Sequence, residues 1–116
     1  MDAREVFLEL GEDYDEVLGR LVTDERITKY LKKFADGGSI ADIHGFLADE
    51  NYEEAFRLVH TAKGMAMNMG LSKLTAVTSD LCEELRGGKP NKPIDDMIKA
   101  VEDEFEKTKA VIGQMD

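Results

Sequence analysis

The chain has 116 residues, of which 25 are acidic and 15 are Lys or Arg, giving a formal net charge of −10 at pH 7. That is the length of one domain able to bury a core without disulfides, and 42% hydrophobic with 34% charged residues excludes a disordered tail or a membrane span. The negative charge disfavours nucleic acid and anionic lipid as partners, and no concentrated basic patch stands out in the sequence to offset it. The single cysteine, Cys82, has no second cysteine to pair with, and no apolar leader opens the chain, so a cytoplasmic location is expected.

Apolar residues recur at helical spacing almost throughout, which predicts an all-α fold. A short helix is expected over Ala3–Leu10, stopped at Gly11, and a second over Asp13–Leu21 with Val17, Leu18 and Leu21 on its inner face. Thr23 is placed to cap a third, whose stripe is Ile27, Tyr30, Leu31 and Phe34 and which Gly37 and Gly38 end. Ser39 and Asp42 suggest a capping box opening a helix with Ile40, Ile43 and Leu47 on one face. After a turn near Asn51 a long helix runs to about Met69, where Gly70 stops it. Ser72 is expected to cap the next, carrying Leu74, Val77, Leu81 and Leu85. The loop `GGKPNKP` leads to the last helix, with Ile94, Met97, Ile98, Val101, Phe105, Ile112 and Met115 as its stripe. The expected fold is an antiparallel up-down four-helix bundle with additional short N-terminal helices. One domain over residues 1–116 follows, with an N-terminal helical cap over about 1–36 and a bundle core over about 39–115.

The stretch `FRLVHTAKGMAMNMGL`, Phe56 to Leu71, raises a question: a glycine inside a helix costs roughly 1 kcal/mol relative to alanine. On a helical wheel Ala55, Leu58, Val59, Ala62, Met65, Ala66 and Met69 gather on one arc, the buried face. His60 falls nearly opposite that arc, which argues against a core histidine. Lys63 at i+3 and Gly64 at i+4 adjoin it, so a nucleophile, a cation and a gap lie together. An imidazole in water titrates at about pH 6.5, leaving a ring nitrogen free to attack an electrophile at neutral pH. Lys63 can pair with incoming phosphoryl oxygens, and Gly64 leaves room for another protein's active site. Phe56 and Met67 frame the histidine as exposed apolar contact area, with Arg57, Thr61 and Asn68 as a polar edge, together reading as a docking patch.

The run `HTAKGMAMNMGL` resembles the histidine-containing phosphotransfer (HPt) family of two-component phosphorelays: His, two residues, Lys, Gly, a variable stretch, then Gly and an apolar residue. The flanking `YEEAFRLV` and `SKLTAVTSDLCEEL` are also similar, and the resemblance covers roughly Asp13 to Met115. It implies that His60 takes a phosphoryl group from the phospho-aspartate of a receiver domain and passes it to a second receiver aspartate. Charge support falls to Lys63 and access to Gly64. The implied partners are response regulator receiver domains and a hybrid sensor histidine kinase, with Mg²⁺ supplied by the receiver and no cofactor of the chain's own. Where many relatives have small residues after the glycine, this chain has Met65 and Met67, a difference that bears on receiver choice.

No ATP-binding motif is present, so the chain is expected to be a phosphocarrier rather than a free-standing kinase. The alternatives are a silent receiver-binding adaptor, or the phosphoacceptor fragment of a chemotaxis-type kinase whose dimerisation and ATP-binding regions the sequence lacks. No metal site is expected: His44 lies sixteen residues from His60 and beside Ile40 and Leu47, where it reads as a partly buried structural imidazole. Cys82 reads as packing. A monomer is expected, because the reactive helix must stay free.

Overall fold

The computed structural model describes residues 1–21, 23–37 and 39–115, apart from the side chain of Leu21. Among these the structure is all-helical: α1 (Ala3–Leu10), α2 (Tyr14–Leu21), α3 (Asp24–Gly37), α4 (Ile43–Ala48), α5 (Tyr52–Asn68), α6 (Ser72–Leu85) and α7 (Asp95–Ile112). Gly38, expected to share the stop of α3, lies outside the described residues, as does the inner-face position of the Leu21 side chain.

Local chemistry starts and stops most of these helices. Asp2 and Glu5 form a reciprocal capping box on α1. The Oδ1 of Asp13 accepts from the Glu16 amide, the Oγ1 of Thr23 from that of Arg26, and the Oδ1 of Asn51 from that of Glu54. Gly70 takes φ 67°, and the amides of Gly70 and Leu71 donate back to the carbonyls of Met67 and Ala66, closing α5.

Two expected caps form differently. The Oγ of Ser39 accepts from the Ala41 amide at 3.0 Å, a tight local turn, so α4 starts later, at Ile43, and Asp42 makes no side-chain cap. Ser72 is the first residue of α6 rather than its cap. There Glu12, from the α1–α2 turn, accepts from the Lys73 amide at 3.1 Å and bonds the Ser72 hydroxyl. A carboxylate 61 residues away in sequence thus satisfies one orphan amide at the positive end of α6.

The four long helices are α3, α5, α6 and α7. A three-residue turn makes α5 and α6 an antiparallel hairpin, and α7 packs on α6. The division expected near residue 36 falls inside the packed core, since Phe34 of α3 stacks on Phe105 of α7 with ring centroids 5.3 Å apart. With only six residues, α4 is a connector leading into α5. The buried set follows the predicted stripes with one correction: Tyr30, expected on the inner face of α3, is 39% exposed because Ile27, Leu31 and Phe34 occupy the inward arc. Leu18, Leu47, Leu58, Met65, Val77, Met97 and Met115 are half-buried at the edges, Cys82 is packed inside as expected, and Thr78, Thr108 and Val111 are added. The two buried threonine hydroxyls donate to the carbonyls of Leu74 and Glu104, both at 2.7 Å, so neither is left unpaired.

The short N-terminal helices brace the reactive hairpin. Nη1 of Arg20, on α2, donates to the Met67 carbonyl at 3.2 Å, placing a cation at the C-terminal end of α5. Val17 sits so close to Gly70 that a side chain there would overlap its Cγ2. Tyr14 hydrogen-bonds Asp24 and packs edge-on against Phe7, tying α1, α2 and α3 together. Burial first, then Asp24, pushes the Tyr14 phenol up to about 12.

Candidate functional site

Helix α5 buries Ala55, Val59, Ala62, Ala66 and Met69 against the bundle. Because these positions occupy one arc at 3.6 residues per turn, the opposite arc faces water. His60 lies there, exposed, and among the described residues makes no hydrogen bond or ion pair. Its one ring contact is with Phe56, one turn earlier, at 5.6 Å between centroids.

Lys63 is half-buried beside it and has no ion-pair partner among the described residues. Its charge is felt by Cys82 on α6: burial raises the thiol's pKa, and Lys63 and then Arg86 oppose that rise. The ammonium thus acts on the α6 side of the helix, and no carboxylate among the described residues pairs with it.

At Gly64 the backbone is ordinary helix, and a Cβ built there meets no atom within 4 Å. Nothing inside the molecule requires glycine at this position. The helix nonetheless gives up about 1 kcal/mol of propensity in its middle, directly beside an exposed imidazole.

The expected docking residues are placed unequally. Met67 is 51% exposed, and Thr61 and Asn68 are exposed. Phe56, expected in the open, is half-buried: His60 covers one part, and the Arg86 guanidinium lies over its ring at 5.2 Å. Arg57 is exposed, but its guanidinium is engaged by Glu54 at 3.0 Å and Glu53 at 3.1 Å. The residue that sequence reasoning missed is Arg86. The signal was present, because in a tight antiparallel hairpin positions equally far from the Gly70–Leu71 turn face each other, which sets the end of α6 opposite Phe56.

His44 is a correction. Its side chain is 61% exposed rather than partly buried, and Nε2 lies 3.0 Å from Glu102 of α7. The short α4 turns Ile40 and Ile43 inward and leaves His44 at the surface. Its partner is therefore a carboxylate on another helix. Among the described residues no three His, Cys, Asp or Glu side chains converge as a metal site would require.

The described residues thus form an all-helical bundle in which His60, Lys63 and Gly64 lie together on one face of α5. The family comparison agrees: the Hpt domain family model matches residues 2–110, and the chain belongs to that family. No curated protein and no solved structure matches the chain. No helix among the described residues is long and apolar enough to cross a membrane.

Proposed function

We infer that this Hpt domain carries phosphoryl groups between receiver domains, with His60 as the acceptor. The observation that carries the reading is the conjunction at one face of α5: an exposed imidazole and a lysine that have no hydrogen-bond or ion-pair partner among the described residues, and a gap at Gly64 that the described fold does not need.

The neutral imidazole attacks phosphorus through the Nε2 lone pair while Nδ1 keeps its proton. The P–N bond forms as the P–O bond to the donor aspartate breaks, and the carboxylate leaves with the electron pair. Return to a second receiver aspartate reverses these events. Phosphoryl transfer depends mainly on positioning and on stabilising charge on the equatorial oxygens. Lys63 contributes to the second task, and Arg86, held over Phe56, places another cation on the α6 side. The receiver brings Mg²⁺ and its own lysine. A hybrid sensor kinase upstream, a monomeric carrier and a cytoplasmic location belong to the same reading.

The test is intact-mass analysis. Receiver domains phosphorylated by a small-molecule donor with Mg²⁺ are mixed with wild type and with His60→Gln. One acid-labile phosphoryl adduct on wild type alone supports the reading. Transfer that survives His60→Gln refutes it.

A further inference from the structure

We propose that the receiver docks from the α3 side of His60, across Gly64, onto a basic and apolar cleft between α3 and α5, and that this cleft selects partners with an acidic docking face. The proposal rests on the reading of His60 as phosphoryl acceptor and adds the direction and the chemistry of approach.

The two flanks of His60 differ. Toward α6 lie Lys63 and Phe56, and Arg86 closes over the Phe56 ring. In the other direction around α5, at about 100° per residue, come Gly64, then Asn68, then Met65. Met65 and Asn68 line a cleft of about 240 Å³ whose other walls are Tyr30, Lys33, Phe34 and Met69. The open side of the imidazole therefore leads, through the gap at Gly64, into this cleft.

The surroundings of the cleft have a charge that the chain as a whole does not. Helix α3 carries Arg26, Lys29, Lys32 and Lys33 against Asp24, Glu25 and Asp36, a net of +1 in a chain whose formal charge is −10. Lys33 lines the cleft beside Tyr30, Arg26 lies one turn before Tyr30, and Lys29 stands on the exposed face of the same helix. None of the three is ion-paired among the described residues, whereas Arg57 and Arg86 are both bridged to glutamates. Arg20, too, is bridged, to Glu16 at 3.8 Å, and donates to the Met67 carbonyl at the C-terminal end of α5. Apolar surface gathers at the cleft itself. Tyr30, which lines it, is one of the three large hydrophobics exposed among the described residues, at 39%. Unpaired cations around an apolar opening are complementary to carboxylates around a protruding apolar side chain. On a strongly acidic molecule they also steer such a partner to this face and away from the others.

The experiment compares wild type, Lys29→Glu/Lys33→Glu, and Lys107→Glu as a charge control on exposed α7. Transfer from a panel of phosphorylated receiver domains is followed against receiver concentration at low and moderate salt. Labelling of His60 by phosphoramidate, which needs no docking, is measured in parallel. The double variant is expected to raise the half-saturating receiver concentration by about tenfold or more. Its saturating rate and its phosphoramidate labelling should stay near wild type, much of the salt sensitivity should disappear, and Lys107→Glu should behave as wild type. Unchanged half-saturation and salt response in the double variant, with wild type transferring normally, overturns the docking proposal and leaves the acceptor reading intact. Failure of wild type to take a phosphoryl group from any receiver overturns both.

Discussion

Replacing Gly64 by alanine should make this protein more stable while making it a poorer phosphoryl acceptor. Gly64 sits inside the 17-residue α5 with helical backbone, and an added methyl meets nothing within 4 Å. The substitution therefore gains helix propensity and reduces the freedom of the unfolded chain without a steric cost, a stabilisation of about 1 kcal/mol. For a domain of this size that corresponds to a rise of about 4 °C in Tm. Gly19, in α2, also has open space around an added Cβ and supplies the control: Gly19→Ala should stabilise by up to a similar amount and leave transfer alone. Thermal unfolding and receiver transfer are measured on both variants, with Gly64→Gln as the bulkier replacement, expected to block transfer while the bundle stays folded. A fall in the stability of Gly64→Ala would show that the space beside the helix is not open. Normal transfer by Gly64→Gln would show that the gap serves no approaching partner, and the steric argument would fail.

The remaining expectations concern separate parts of the molecule. His60→Gln should lose acceptance and stay within about 0.5 kcal/mol of wild-type stability, because the exposed imidazole's ring contact is with the half-buried Phe56 and it fills no core space, as unfolding and intact mass together will show. Lys63→Ala and Arg86→Ala should each slow transfer with little change in Tm; equal rates for Arg86→Ala would remove it from the site. Glu12→Ala, read by urea unfolding, should cost about 1 kcal/mol through loss of the α6 cap. The Tyr14 phenol, raised in the fold to about 12, keeps its proton where an unfolded tyrosine ionises. Its contribution is complete below pH 10 and declines as pH rises from about 10 to about 12, because over that window the unfolded state sheds the proton first. Tyr14→Phe should flatten that alkaline fall in stability and remove the highest-pH step in tyrosinate absorbance.

Much of this was legible along the chain. The outward placement of His60 followed from the arc of Ala55, Val59, Ala62, Ala66 and Met69, since a helix period converts spacing directly into facing. The stops at Gly11 and Gly70 were legible for a related reason: positive φ is a local requirement that glycine meets. Ser39, Asp42 and Ser72 were misread as caps because a side chain near a helix start has several local partners, and the competition is settled by geometry that residue types do not carry.

The sequence by itself determined the all-helical class, the buried and exposed faces of α5, and the grouping of His60, Lys63 and Gly64, all consequences of contacts within a few residues. Tertiary structure alone decided that Glu12 caps α6, that His44 meets Glu102, that Arg86 covers Phe56, and that Tyr30 and Lys33 of α3 line a cleft with Met65 and Asn68 of α5. Each of these joins side chains from different helices, and their meeting depends on how the helices pack against one another, which no single helix's periodicity encodes.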